Sequence, residues 1–164
     1  MANKTFRLFG SSALTVGVST YLILKVIGKK MSWHKVEGPS MRPTLNPSDS
    51  FFRDIILVKK LENPEEVEYM PASSIILLKH PKQERGYLVK RLAANQNEEI
   101  SNYADQIKNS KCTNKTIPQG HCWVQSDAGP GYLDSTSYLG PIPYDDVVGQ
   151  ALFIVWPPHR SKKL

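Results

Sequence analysis

The chain has 164 residues, one domain's worth and long enough to bury a core. Its 21 basic and 15 acidic residues give a net charge of +6, but Lys4, Arg7, Lys25, Lys29, Lys30 and Lys35 face no acid within residues 1–35, so the remainder is balanced. A basic surplus confined to a leader argues against nucleic-acid binding, which needs the surplus on the folded surface, and points to targeting or membrane attachment.

In chain order, residues 8–24 form a run of 17 without a charge, at the lower limit for spanning a bilayer. Gly10, Ser11, Thr15, Gly17, Ser19 and Thr20 dilute it, so a cleaved secretory signal and an acid-free mitochondrial import segment stand beside a retained single anchor. Lys25, Lys29, Lys30 and Lys35 follow the run while only Lys4 and Arg7 precede it, which by the positive-inside rule keeps the following domain on the cytoplasmic side. The chain thus divides into a basic segment with a transmembrane anchor helix, residues 1–30, and a β-rich domain, residues 31–164. In that domain 52–60 predicts a strand, 61–70 an acidic loop containing Pro64, 74–79 a second strand, 82–85 a polar turn and 87–92 a third strand. Residues 93–116 are polar and weakly patterned, with Ile100 and Ile107 among few apolar points, and predict a loop-rich excursion. Further strands are predicted over 122–125 and 147–156, the latter a nearly continuous apolar run expected in the core and ended by Pro157 and Pro158. The Gly/Pro-rich stretch 126–135 between them predicts a turn. Consecutive short strands separated by polar turns make the domain mainly β. Cys112 and Cys122 allow one bridge at most and are read as free thiols, and four scattered histidines give no metal-ligand spacing.

Two residues carry candidate chemistry. Ser40 lies in Val36-Glu-Gly-Pro-Ser-Met-Arg-Pro-Thr-Leu45, where Pro39 fixes its own φ and Pro43 pushes Arg42 toward extended geometry, so the serine sits in a stiffened, non-helical segment. On a strand over 87–92, Leu88, Lys90 and Leu92 share one face, which places Lys90 among apolar neighbours. A serine hydroxyl becomes a nucleophile when a base takes its proton, and a lysine serves once desolvation lowers its pKa from about 10.4 to roughly 7 to 8. Read singly, a proline-pinned connector and a lysine that snorkels or pairs with a carboxylate are the plainer alternatives. Together the two residues suggest a Ser/Lys dyad.

The segment Ser40-Met41-Arg42-Pro43-Thr44 resembles the serine box of type I signal peptidases, and Val89-Lys90-Arg91 resembles their lysine box. Trp156-Pro157-Pro158-His159-Arg160, Gly120-His121-Cys122-Trp123-Val124 and Gly140-Pro141-Ile142 are similar to the second-subunit branch of the mitochondrial inner membrane proteases. The resemblance implies a β-rich signal-peptidase domain behind one membrane anchor, at the inner membrane and facing the intermembrane space. It also implies a serine endopeptidase that removes leader peptides from precursor proteins, paired with a homologous subunit 1 in a hetero-oligomer, with no metal or organic cofactor. Ser40 would be the nucleophile, its N–H an oxyanion donor, and Lys90 the base, with Met41 and Pro43 in support. Gly38 stands where some relatives carry an assisting hydroxyl. The family's last box, usually Gly-Asp-Asn followed by Ser-x-Asp-Ser, corresponds to residues 126–135. Asp127, Asp134 and Ser135 match it, Asp127 and Asp134 as loop-fixing carboxylates. Ser126 and Ala128 replace a glycine and an asparagine, and Tyr132 stands where the family has a serine that hydrogen-bonds the lysine. Ser73 and Ser74 replace a Gly-Asp pair, and Leu139 looks inserted. The alternatives are a catalytically silent partner subunit, a bacterial-type signal peptidase in another membrane, and a self-cleaving Ser/Lys repressor, for whose DNA-binding domain residues 1–35 leave no room.

Overall fold

The computed structural model describes residues 28, 30–48, 50–99 and 116–164. Eight strands run β1 Met31–Lys35, β2 Ile55–Lys60, β3 Ile75–Lys79, β4 Tyr87–Ala94, β5 His121–Gln125, β6 Ile142–Pro143, β7 Val147–Trp156 and β8 Lys162–Lys163. They form one sheet in the order β1-β2-β7-β3-β4-β5-β6, with β8 added to β7. Every pairing is antiparallel. The mainly β reading therefore holds. The expected anchor over 8–24, Cys112, Ile100 and Ile107 lie outside the described residues, and among the described residues no helix is long and apolar enough to cross a membrane.

The strand that organises both sides of the sheet is β3. Its sequence Ile75-Ile-Leu-Leu78 is buried throughout, and side chains alternate across a strand, so Ile75 and Leu77 enter one core while Ile76 and Leu78 enter the other. The first core also takes Met41 and Leu45 from the serine segment, Ile56 and Val58 from β2, and Ala151 and Ile154 from β7. The second takes Leu92 from β4, Cys122 and Val124 from β5, and Val147 from β7. Burying Met41 and Leu45 contributes about 1.5 to 3 kcal/mol each and ties the serine segment to the sheet.

One local expectation is corrected and two are refined. Residues Pro64–Tyr69 form a 3-10 helix where an acidic loop was expected. Pro64 suits a first helical turn, the Glu66 carboxylate accepts the N–H groups of Glu62 and Asn63 at 2.8 and 3.1 Å, and Val67 is buried. Strand β7 matches its expected span and lies in the core as expected, giving Ala151 and Ile154 to the first cluster and Val147 to the second. Its burial alternates, and Phe153 and Trp156 project outward, so the fully buried strand is β3. Ser135–Leu139, at and beyond the end of the predicted turn, forms one π turn closed by the Leu139 N–H on the Asp134 carbonyl at 3.0 Å. Strands β1, β6 and β8 were not predicted. The first carries Ser32 and His34 among its apolar residues, and the others are two residues long.

Candidate active site

The segment leading to Ser40 leaves β1 at Val36 and turns at Gly38, whose φ of 77° favours a residue without a Cβ. The Arg42 N–H closes a turn on the Pro39 carbonyl at 3.0 Å, and the Leu45 N–H reaches the Met41 carbonyl at 2.8 Å, so Ser40 sits in consecutive turns, as a stiff non-helical segment requires. The Arg42–Pro43 peptide bond is cis. Beneath the turns lies a buried polar lock that the sequence did not reveal. Asp54, fully buried, accepts from Arg160 Nε at 2.9 Å and Nη2 at 3.0 Å, and from the Asn46 N–H at 2.8 Å. Asn46 receives the Asp54 N–H on its own side-chain oxygen at 2.7 Å and donates to the Val36 carbonyl at 2.8 Å. Arg160 also donates to the Thr44 carbonyl at 3.1 Å. Both ends of the serine segment are thereby tied, through Asn46 and Arg160, to one buried carboxylate.

Lys90 lies on β4 opposite Ile76 and is 2 % exposed, on the same buried face as Leu92 and Ala94. Burial pushes its amine down to about 8, against the opposing pull of the Asp134 and Asp127 carboxylates. Its Nζ donates to Ser126 Oγ at 2.9 Å. The next residue, Arg91, points to the other face and grips Asp127 with two bonds of 2.6 Å, while donating to the Ser73 carbonyl at 2.6 Å. Consecutive residues of β4 thus hold consecutive residues of the loop after β5.

That loop is fixed from below. Asp134, 2 % exposed, accepts the Ser126 N–H at 3.1 Å and both the N–H and the hydroxyl of Thr136, at 3.1 and 2.6 Å. The Ser135 hydroxyl accepts the Val124 N–H at 3.0 Å. From the same loop the Ala128 N–H donates to the Ser40 carbonyl at 3.0 Å. Residues 126–128 therefore touch both the lysine and the serine. Tyr132 is half-buried and makes no hydrogen bond among the described residues, so the hydroxyl on Lys90 is that of Ser126, two residues before Ala128. Among the described residues the Ser40 hydroxyl has no hydrogen-bond partner and is half-buried. It lines a cleft of ≈ 220 Å³ whose walls include Val36, Met41, Leu77, Leu88 and Val89. Strand β5 pairs with β4 only from Arg91 onward, so the β4 edge at 87–89 is open on the cleft side among the described residues. Cys122 is a buried free thiol pushed up to about 12 by desolvation, which leaves it no part in nucleophilic chemistry.

Residues 92–156 match the family described as signal peptidase, peptidase S26. The chain is 31 % identical over 124 residues to the mitochondrial ATP-independent inner membrane protease subunit 1a of Arabidopsis thaliana, covering 76 % of this chain and 70 % of that protein. The chain belongs to the peptidase S26 signal peptidase family. It is 34 % identical to the mitochondrial inner membrane protease subunit 2 of Saccharomyces cerevisiae, over 77 % of this chain and 68 % of that one, and 31 % identical to subunit 2 of Mus musculus, over 79 % and 70 %. The resemblance to second subunits holds and extends to first subunits at similar identity. As an S26 peptidase of the mitochondrial inner membrane protease type, the protein is a serine peptidase with a signal-peptidase-like function in mitochondria.

Proposed function

We propose that Ser40 and Lys90 form the catalytic dyad of a single-pass inner membrane endopeptidase that removes leader peptides from precursors bound for the intermembrane space, alongside a homologous partner subunit. The observation that carries this reading is a buried lysine amine near pKa 8, held by a loop whose Ala128 also holds the Ser40 backbone. Few structural roles need a lysine in such a setting, whereas a base working near neutral pH does.

The precursor's main chain lies extended against the open β4 edge at 87–89, pairing as an added strand, and small side chains enter the apolar cleft beside Met41, Leu77 and Leu88. Neutral Lys90 takes the Ser40 hydroxyl proton as Oγ bonds to the scissile carbonyl carbon. The oxyanion is held by the Ser40 N–H, which has no acceptor among the described residues. Lys90 then returns the proton to the leaving amine as the C–N bond breaks, giving an ester on Ser40. Neutral again, it deprotonates water, which hydrolyses that ester and restores the hydroxyl. Gly38 supplies the turn and no hydroxyl, so the lysine acts without a second oxygen from that side.

The test is cleavage of a leader-bearing precursor by the detergent-solubilised complex carrying wild-type Ser40 or Ser40→Ala. The alanine variant is expected to reduce cleavage to background, while abundance and partner co-purification stay normal because the hydroxyl makes no hydrogen bond among the described residues. Wild-type cleavage by Ser40→Ala would overturn the proposal.

A further inference from the structure

We infer that Ser126 is a positioning residue for Lys90, its hydroxyl accepting one N–H of the amine so that the remaining valence of the nitrogen faces Ser40. The inference rests on the Ser40/Lys90 dyad and adds a residue that the resemblance to the family's last box places at a glycine position.

The geometry is specific. Lys90 Nζ and Ser126 Oγ are 2.9 Å apart and both residues are buried, so water does not substitute for the contact. A four-carbon lysine stem has several rotamers, and a tether at its tip selects one of them. A neutral amine has two N–H bonds and one lone pair. With one N–H committed to Ser126, the lone pair is confined to directions away from that oxygen. Ser126 is itself fixed, because its N–H donates to the buried Asp134 carboxylate at 3.1 Å. The connected backbone then closes the register between base and nucleophile, since Ala128, two residues on, donates to the Ser40 carbonyl. Tyr132, to which the resemblance gives this role, makes no hydrogen bond among the described residues, and the hydroxyl at the amine is that of Ser126.

The charged groups bearing on Lys90 are Asp134 and Asp127, both after β5, the latter paired with Arg91. Its cross-strand neighbour on β3 is Ile76, and β5 presents uncharged Gln125 opposite Arg91. Against this background a hydroxyl acceptor stabilises the ammonium more than the neutral amine. Removing it lowers the lysine pKa further, so the ascending limb of the pH–rate profile moves to lower pH even as the plateau falls.

The experiment measures kcat, KM and the pH profile of the complex with wild-type chain, Ser126→Ala, Ser126→Gly and Ser126→Thr, with Ser40→Ala and Lys90→Arg as controls. Ser126→Ala is expected to lose about 10- to 100-fold in kcat, the cost of a misplaced catalytic group, with KM little changed and the limb shifted to lower pH. Ser126→Thr, which keeps the hydroxyl, should recover activity and the limb. If alanine prevents accumulation of the chain, Ser126→Gly is expected to give the same limb shift. Wild-type kcat and an unmoved limb in Ser126→Ala, with both controls inactive, would overturn the inference and leave the dyad standing. A fall in kcat with an unmoved limb would assign Ser126 to loop support and overturn it equally. Activity in Ser40→Ala or Lys90→Arg would instead remove the dyad on which the inference rests.

Discussion

Replacing Lys90 by arginine separates a base from a structural cation. With its pKa at about 8, Lys90 is neutral in about one tenth of molecules at pH 7 and about nine tenths at pH 9. A solvated lysine near 10.4 would be neutral in only about one molecule in 2,500 at pH 7, so burial enlarges the reactive fraction about two-hundredfold. The sign follows from the base role: the deprotonated form is active, so kcat/KM should rise about tenfold from pH 7 to pH 9 and level off beyond. Arginine keeps the charge and much of the volume but holds its proton at every accessible pH, so Lys90→Arg should lose at least about a thousandfold. The assay is initial-rate cleavage of a leader-bearing precursor by the solubilised complex across this pH range, with chain abundance checked for each variant. A structural cation paired to Asp134 or Asp127 would tolerate arginine and show no such limb. A flat profile together with a working Lys90→Arg enzyme would refute the reasoning.

Other perturbations read the scaffold. Lys90→Met should inactivate the enzyme yet stabilise it at pH 7 by about 1 to 3 kcal/mol, seen as a higher melting temperature. The folded pKa lies below the unfolded one, so stability rises with pH between about 8 and about 10.4, the full penalty is present at pH 7, and the gain should fade across that window and be absent above it. Asp54→Ala leaves Arg160 without its carboxylate and should cost about 3 kcal/mol by denaturant melt, with Asp54→Ala/Arg160→Met recovering part; a loss below about 1 kcal/mol would contradict the lock beneath Ser40. Gly149→Ala puts a Cβ against the Lys59 carbonyl and 2.8 Å from Val58 Cγ1, where Gly149 pairs with Lys60 at one end of the β2–β7 ladder and with Leu77 of β3, and should destabilise by about 1 to 3 kcal/mol or more; a neutral melt would show that β2 can shift.

The strands around Lys90 were legible because period-2 burial is a local signal: Lys90, Leu92 and Ala94 share a buried face as the alternation predicts. The end of β7 at Trp156 followed from Pro157 and Pro158, which cannot continue a ladder. What stayed hidden depends on contacts distant in sequence. Asp54 and Arg160 are 106 residues apart, and neither has a local pattern that announces its partner. Arg91 enters the sequence reading as the last residue of the lysine box, and nothing there announces that its bidentate grip on Asp127 secures the loop. Ser126 was visible as a replaced glycine, but nothing in its neighbourhood says that a hydroxyl 36 residues beyond Lys90 reaches the amine. Tyr132 drew attention by position in the last box, and position did not reveal where the loop's backbone places each side chain.

The division of labour among the cations explains why one lysine can titrate while its surroundings stay fixed. Asp127 receives two short bonds from Arg91, and Asp54 two from Arg160, and a guanidinium remains charged throughout the working pH range. Those pairs therefore keep both charges, and hold the two sides of the site, whether Lys90 is protonated or not. Had Asp127 lain against Lys90 without Arg91, its charge would have favoured the ammonium more strongly and moved the amine further back toward its ordinary range. Arg91 holds that carboxylate by two bonds, and the hydrogen-bond partner at the lysine tip is a neutral hydroxyl. A hydroxyl can orient an amine without holding it charged, which is the requirement for a base that must lose and regain a proton twice in each turnover.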